Sequence, residues 1–210
     1  MFTLYSRPGS GSAAVEALLA ELDVPFRLED VPAGPDRRTP HHYLAINPRG
    51  EIPSLQLADN SFMTESAAMM IYLADLYPEK GFAPSVAAPG RAGYLRWMLY
   101  FATAVYAADL RFYYPERYIT NAEHALSVKA QSVIAMTRDF QIFADQLGSA
   151  NFILGETFSA VDLYAAMLIS WAPDLDALFA AHANLKAFYG RVATRPKTAL
   201  VWVRNQMPLA

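Results

Sequence analysis

Residues 5–12 place several hydroxyl groups at a predicted strand-to-helix turn. The segment reads Tyr-Ser-Arg-Pro-Gly-Ser-Gly-Ser, which puts serines at positions 6, 10 and 12. A serine nucleophile needs a general base, and nothing in the sequence places one of the four histidines near Ser10. A serine hydroxyl beside a helix N-terminus can instead donate a hydrogen bond to an anion such as a thiolate. The same residues also suit an ordinary turn and helix cap, so both interpretations stay open.

A second candidate is Thr64-Glu65-Ser66, where an apolar helical pattern begins. The first turn of a helix has unpaired N–H groups and the positive end of the helix dipole, so it suits a carboxylate. Ser66 adds a hydroxyl donor, and Glu65 could pair with an ammonium group. Together they would suit the free end of an α-amino acid, although Thr64 or Ser66 could equally be a plain helix cap.

Residues 51–54, Glu-Ile-Pro-Ser, begin a short predicted strand. Proline has no N–H to donate, so Pro53 belongs at the first position or at the edge of a strand. If the Ile52–Pro53 bond is cis, the carbonyl and amide of Ile52 face outward and could pair with an extended peptide ligand. A trans proline that merely begins the strand is the alternative.

The elements that must position these residues alternate in the first 77 residues. Hydrophobic periodicity predicts two helices, one at 13–22 and one ending at 76, together with a loop holding a short helix at 37–44. Predicted strands lie at 2–6, 24–28, 52–57 and 61–63, the last two joined by the turn Asp59-Asn60. This order predicts a small sheet with helices on both faces.

Residues 78–90 are rich in proline and glycine and are predicted to be a linker. Everything beyond them has helical patterning. Predicted helices occupy 91–109, 127–147, 159–171, 184–193 and 196–203. At 159–162, Ser-Ala-Val-Asp matches a capping box, in which Ser159 caps the helix and Asp162 reaches back to the cap's amide. The fold class is therefore an α/β domain at 1–77 followed by an all-α domain at 91–210.

Composition excludes several classes of protein. The 210-residue chain has a net charge of −3, which argues against a nucleic-acid partner. It contains no cysteine, so it has no disulfides, thiolate metal sites or cysteine nucleophiles. No metal site is expected. Its apolar stretches fall short of the ~20 residues of a membrane span, and no secretory signal is visible at its start. We expect a cytoplasmic protein without a membrane partner.

Four motifs in this order resemble the cytosolic glutathione S-transferases over nearly the whole chain, in particular bacterial members with a serine-type active-site loop. They read LYSRPGSGSAAVEALLAEL, INPRGEIPSL, MTESAAMMIYLADLYP and FILGETFSAVDLYAAM. The resemblance implies a thioredoxin-like domain at 1–77 that binds glutathione as co-substrate, with no bound cofactor. It also implies that Pro53 is cis, that Ile52 pairs with the cysteinyl part of glutathione and that Glu65 and Ser66 hold the γ-glutamyl end. Related proteins usually form homodimers.

The resemblance also suggests which group activates the glutathione thiol. Members with Pro-Gly-Ser at this turn use the serine hydroxyl, which here is Ser10. Ser12, Ser6 and a backbone amide are alternatives. Tyr5 is set aside because the tyrosine of other members aligns with Ser6, and adjacent strand residues face opposite ways. Glu51 and His41 flank the expected peptide site and are further candidates for glutathione contacts.

The resemblance places an electrophile pocket in the helical domain. Tyr106 and Tyr113 are seven residues apart, so they share a face if the helix continues, and Arg111 between them could attract an anionic substrate. The leading interpretation is a glutathione transferase that directs the thiolate at a small apolar electrophile. A glutathione-dependent reductase of disulfides or peroxides and a non-catalytic interaction module are the alternatives.

Overall fold

The computed structural model describes residues 1–33 and 40–209. The chain packs into two compact units, Met1–Ser85 with Ala193–Ala210, and Val86–Val192. The predicted linker at 78–90 spans the first boundary between them. The predicted domain at 91–210 differs from the second unit at its C-terminal end, because the last helix packs against the first helix of the chain. The domain boundaries 1–77, 78–90 and 91–210 stay a prediction.

The strands and helices are numbered in chain order. The strands are β1 (Phe2–Ser6), β2 (Phe26–Asp30), β3 (Ser54–Gln56) and β4 (Phe62–Met63). The helices are α1 (Ser12–Leu22), α2 (Ser66–Leu76), α3 (Arg91–Tyr100), α4 (Tyr106–Tyr113), α5 (Ala125–Leu147), α6 (Ala160–Ser170), α7 (Leu175–Ala181), α8 (Ala183–Ala193) and α9 (Pro196–Arg204). A π-helical segment, Phe101–Val105, joins α3 to α4. Short 3₁₀ turns lie at His41–Ala45, Pro78–Lys80, Pro115–Arg117 and Ala122–His124.

The first unit is built on a four-stranded sheet of order β2-β1-β3-β4 in the described part of the chain. β2 runs parallel to β1, β3 antiparallel to β1, and β4 antiparallel to β3. Along β1 the side chains of Phe2, Leu4 and Ser6 are buried while those between them are half-buried, which is the alternation expected of a strand. With α1 packed on β1 and α2, this is the predicted thioredoxin-like arrangement.

Several element boundaries differ from the predictions. β2 begins at Phe26 rather than 24, because its parallel pairing with β1 matches Phe2 to Phe26 and Ser6 to Asp30. The turn between β3 and β4 is confirmed: Asn60 has a φ of 67° and donates its N–H to the Leu57 carbonyl. Of the loop predicted at 37–44, residues 37–39 lie outside the described residues, and the remainder begins the 3₁₀ turn at His41–Ala45.

The second unit is helical, as predicted, and α6 is buried from Ala160 to Ile169. The capping box is confirmed, since Asp162 accepts hydrogen bonds from the Ser159 N–H at 2.7 Å and the Ile153 N–H at 2.8 Å. Aromatic rings of α3, the π-helical segment, α5 and α8 pack edge-on or stacked. They are Trp97, Tyr100, Phe101, Phe143 and Phe188, with neighbouring centroids 5.1–5.9 Å apart.

Candidate active site

Three segments that carry candidate residues leave the sheet at the same end. β1 ends at Ser6 and leads into the turn that holds Ser10, while Ile52 lies just before β3. β4 ends at Met63 and leads to Glu65. Because β3 is antiparallel to both β1 and β4, the end of β1, the start of β3 and the end of β4 lie together. The topology therefore brings the three candidate segments together.

The turn after β1 holds Ser10 and Ser12 in a compact hydroxyl pair. Their Oγ atoms are 2.9 Å apart, and the Arg7 carbonyl accepts from Ser10 Oγ at 2.7 Å and from Ser12 Oγ at 3.2 Å. Ser12 is fully buried and accepts the Arg7 N–H, whereas Ser10 is partly exposed. Ser10 can thus turn its proton to a ligand while Ser12 keeps the Arg7 carbonyl satisfied. No described residue accepts the Gly11 N–H, which is a further donor at the start of α1.

The segment before β3 presents unpaired backbone. The Ile52–Pro53 bond is cis, as the resemblance implied. Tyr43 Oη, at 3.0 Å, and Asn47 Nδ2, at 2.8 Å, both donate to the Glu51 carbonyl and fix its direction. Among the described residues, none pairs with the backbone N–H or carbonyl of Ile52. Burial raises the pKa of the Tyr43 phenol, so it remains a neutral donor. The positioning contacts of Tyr43 and Asn47 were not predicted from the sequence, although Asn47 lies within the INPRGEIPSL motif.

Glu65 and Ser66 lie at the start of α2. Glu65 precedes the helix with φ 69° and ψ 113°, a conformation that costs a non-glycine residue of order 1–3 kcal/mol. Its side chain is exposed, while Ser66 is buried in the first turn of the helix. Backbone strain of this kind persists where the surroundings impose it, and it is common at ligand sites.

The remaining candidates for the glutathione site have different surroundings. Ser6 is buried and donates to the Asp30 carboxylate at 2.8 Å, on the inner face of β1. Glu51 is exposed and its carboxylate pairs with Arg49 at 2.9 Å. His41 is exposed at the first position of its 3₁₀ turn. The structure thus places Ser6 in a separate hydrogen-bond network from the Ser10–Ser12 pair.

In the second unit, Tyr106 and Tyr113 lie on one face of α4. The Tyr106 ring centroid is 5.4 Å from that of Trp171, and Tyr113 Oη donates to the Trp171 carbonyl at 2.7 Å. Their seven-residue spacing predicts this shared face, because α4 continues without a break to Tyr113. Arg111 does not join them. It lines a cavity of about 290 Å³ between α4 and α5, with Ala108, Ser127, Val128, Gln131, Ser132 and Ala135.

Asp109 is a buried acidic residue on α4 that the sequence did not single out. It follows Tyr106 by three residues and precedes Tyr113 by four, so it shares their face of α4. Its exposure is 1%, and neither carboxylate oxygen has a hydrogen-bond partner among the described residues. Burial raises the pKa of this carboxyl well above its ordinary value. Burial, and then the charge of Asp109, also raise the pKa of Tyr113. Its spacing of three residues from Tyr106 and four from Tyr113 was the sequence feature that could have placed Asp109 on the face of the two tyrosines.

Replacing Asp109 with asparagine is expected to stabilise the chain at alkaline pH. A carboxyl whose folded pKa lies above its unfolded value stabilises the fold at low pH, and this contribution is lost as the pH rises through the folded pKa. The amide of Asp109→Asn stays buried and unpartnered but cannot ionise, so only the cost of the charge is removed, and we expect a gain of about 1–3 kcal/mol over the wild type at pH 8. The gain should shrink towards pH 5. Urea unfolding at both pH values measures it, with exposed Asp176→Asn as control. An equal gain at both pH values would contradict the buried ionisation.

The described residues contain neither a cluster of metal-ligating side chains nor a single helix that could span a membrane. No three histidine, aspartate or glutamate side chains within residues 1–33 and 40–209 come together where they could hold a metal ion. In the same residues no single helix has the length and apolar character to cross a membrane. Among them, only α6 and α7 taken together are long and apolar enough, and these two helices meet at a bend of 118°.

Comparison with protein-family models gives two matches. Residues 12–76 match the model described as glutathione S-transferase, N-terminal domain, and residues 102–196 match the one described as glutathione S-transferase, C-terminal domain. Together they span more than half of the chain.

Individual relatives agree with these matches. The chain is 29% identical over 195 residues to glutathione S-transferase GstA of Escherichia coli O157:H7, covering 92% of this chain and 94% of the relative. It is also 29% identical to the uncharacterized GST-like protein YncG of Escherichia coli K12, covering 99% and 100%. A glutathione transferase homologue from Sulfitobacter, solved with bound glutathione, has a TM-score of 0.87 at 28% identity, covering 96% of each chain. A glutathione transferase from Methylococcus capsulatus has a TM-score of 0.85 at 26% identity, covering 98% and 99%.

Proposed function

Because the chain belongs to the glutathione S-transferase family, we propose that its first unit binds glutathione and that Ser10 holds the thiol as a thiolate for attack on a small apolar electrophile. Glutathione is the co-substrate, and the proposal needs no bound cofactor. The Sulfitobacter homologue with bound glutathione supports the ligand.

The unpaired backbone of Ile52 carries this proposal. An extended peptide can add to a free strand edge through main-chain hydrogen bonds, and Ile52 offers one donor and one acceptor for the cysteinyl residue. Glu65 would pair with the ammonium of the γ-glutamyl residue, and Ser66 with the start of α2 would bind its carboxylate. Glu51 and His41 are proposed to contact the remainder of the tripeptide.

The thiol must lose its proton before it attacks. A free thiol has a pKa near 8.5, so lowering it by about two units needs about 2.7 kcal/mol of preference for the thiolate. One hydrogen bond to a charged group supplies about 1.5–3 kcal/mol, and the start of a helix can add up to about 2. Ser10 and the N-terminus of α1 are together sufficient. The proton passes to solvent, and the sulfur then forms a bond to the electrophilic carbon. In a substitution that carbon releases its leaving group with the bonding electron pair; in an addition the π electron pair moves to the neighbouring atom, which then takes a proton from solvent.

The electrophile is proposed to contact the second unit. Tyr106 and Tyr113 present aromatic surface and hydroxyl groups on one face of α4 and are the proposed contacts. Arg111 lies elsewhere on the helix, so any contribution to an anionic substrate would come through its own cavity. The proposal includes a homodimer, which is the state that the family implies. It also includes a cytoplasmic location, because the absence of cysteine fits a reducing compartment.

Calorimetry with glutathione, paired with ultraviolet absorbance of the bound thiolate, tests the function. We expect binding in the micromolar to millimolar range, a thiol pKa below 8.5 and conjugation of an activated aryl halide. Turnover of a small disulfide without conjugation would favour the reductase. Absence of binding at millimolar glutathione would overturn the enzyme and leave the interaction module.

Replacing Glu65 with glutamine tests the γ-glutamyl site. The variant keeps the shape of the side chain but removes its charge, which exchanges a charge-assisted hydrogen bond for a neutral one. We expect about tenfold weaker glutathione binding, equivalent to about 1.4 kcal/mol, with little change in the bound thiol pKa. Exposed Glu79→Gln serves as the control. Unchanged affinity in Glu65→Gln would place the ammonium elsewhere.

A further inference from the structure

The C-terminal end of α9 meets the turn that carries Ser10. Asn205 follows directly after α9, and its exposure is 1%. Its Oδ1 accepts the N–H of Gly9 at 3.3 Å, across 196 positions of sequence. Gly9 is the residue immediately before Ser10 and has a φ of 71°. A buried amide from the end of the chain therefore contacts the backbone of the turn at its start.

The orientation of the Asn205 amide is fixed by its partners. Nδ2 donates to Glu16 Oε2 at 3.0 Å and to the Val201 carbonyl at 2.9 Å. Both are acceptors, whereas the Gly9 N–H is a donor, so a flipped amide would lose all three hydrogen bonds. Glu16 belongs to α1 and Val201 to α9, so Asn205 is held from two helices.

The position of Ser10 follows from the same turn. The N–H of Ser10 donates to the Arg7 carbonyl at 3.2 Å, and Ser10 Oγ donates to that carbonyl at 2.7 Å. The Gly9 peptide group lies within this turn, so a change in its direction moves Ser10. Displacements of about 1 Å in a reacting group can cost about a hundredfold in rate.

We propose that Asn205 is a positioning residue for Ser10: by holding the Gly9 N–H, it fixes the turn in which the Ser10 hydroxyl faces the glutathione thiol. This inference rests on the proposed function. It assigns the end of the chain a part in thiol activation, although no residue of that segment needs to touch glutathione.

The matched pair of variants is Asn205→Ala and Thr198→Ala. Thr198 is also fully buried on α9, but its Oγ1 donates to Glu21 Oε1 at 2.8 Å, at the opposite end of the helix from the Ser10 turn. Thr198→Ala removes a buried contact of α9 with α1, and Asn205→Ala removes a buried contact of the residue after α9 with α1. Only Asn205→Ala removes a contact with Gly9, so Thr198→Ala controls for a general loosening of α9.

The first readout is the thiol pKa of bound glutathione. We expect it to rise by about 0.5–1 unit in Asn205→Ala and to stay within about 0.2 unit of the wild type in Thr198→Ala. In a Ser10→Ala background, Asn205→Ala should add no further shift, because it acts through Ser10. An unchanged pKa in Asn205→Ala overturns the inference while leaving the function intact, and so does an equal shift in the Ser10→Ala background. A wild type that binds no glutathione overturns the function and this inference with it.

The second readout is amide hydrogen exchange of the free chain over residues 7–12. Exchange there should be at least threefold faster in Asn205→Ala than in the wild type and unchanged in Thr198→Ala. Equal exchange in the wild type and Asn205→Ala overturns the inference, since the turn would then be held without Asn205.

Discussion

Replacing Ser10 with alanine is expected to raise the thiol pKa of bound glutathione by about 1–2 units. The lost contact is a hydrogen bond to a charged sulfur, about 1.5–3 kcal/mol, and each pKa unit corresponds to about 1.4 kcal/mol. At pH 6.5, close to a wild-type thiol pKa lowered by about two units, the thiolate fraction then falls by about 5- to 50-fold. The more basic thiolate is also the better nucleophile, which offsets about half of this loss on a logarithmic scale. We expect kcat/KM at pH 6.5 to fall about 2- to 6-fold, and the deficit to vanish above pH 9.

Alanine variants of the other two serines test whether Ser12 or Ser6 is the donor to the glutathione thiol. Ser12→Ala removes a buried acceptor of the Arg7 N–H but leaves the Ser10 hydroxyl in place, so we expect a thiol pKa shift under about 0.5 unit. Within the part of the chain that the structure describes, the Ser6 hydroxyl contacts only Asp30 and Arg204, so Ser6→Ala should leave the thiol pKa unchanged. A large shift in Ser12→Ala alone would make Ser12 the donor. No shift in any of the three variants would transfer the role to the Gly11 N–H.

The sequence alone predicted much of the first unit because its signals are local. Alternation along β1 separates Ser6 from Tyr5, the turn at Asn60 marks the β3–β4 hairpin, and apolar spacing marks α1 and α2. Once these strands pair, the ends that carry the Ser10 turn, Ile52 and Glu65 meet at one end of the sheet. The order of the residues and the directions of the strands are therefore enough to predict that these three segments lie together.

What could not be predicted depends on contacts between distant residues. α9 packs against α1, and Asn205 contacts Gly9, so residues that are far apart in the sequence meet. No local sequence pattern predicts these contacts. β2 begins at Phe26 and not at the predicted residue 24, because its pairing with β1 starts by matching Phe2 to Phe26. The burial of Asp109 could not be predicted, because an aspartate on a helix is ordinarily solvated and only the fold shows that its carboxyl is buried.

Arg204, the last residue of α9, stabilises this long-range packing through two ion pairs. Its Nη1 donates to Glu16 Oε2 at 2.8 Å, and its Nη2 donates to the Asp30 carboxylate. The Glu16 side chain is only 4% exposed, whereas the Arg204 side chain is 28% and that of Asp30 is 60% exposed. Burial raises the pKa of Glu16, although Asn205 and Arg204 both act to lower it. Arg204 therefore neutralises a carboxylate that water scarcely reaches.

Arg204→Met is expected to lower the free energy of unfolding by about 3 kcal/mol at pH 8. Removing one partner of a buried ion pair costs about 3–5 kcal/mol, because the other charge is left without compensation. We take the low end because Arg204 is partly exposed and solvent screens the Asp30 contact. Urea unfolding measures the loss. Arg27→Met, which breaks an exposed pair with Glu29, is the control and should cost under about 0.5 kcal/mol.

The loss should depend on pH with a definite sign. Without Arg204 the folded pKa of Glu16 rises further above its unfolded value, so its contribution to stability is kept at low pH and lost as the pH rises through the folded pKa. The deficit of Arg204→Met is therefore largest at pH 8 and smaller at pH 5. Glu16→Gln combined with Arg204→Met should recover most of the loss, because the amide has no charge to compensate and can still accept from Asn205. A deficit that is independent of pH, or a double variant as unstable as Arg204→Met, would show that Arg204 stabilises the fold through its packing and not through the charge of Glu16.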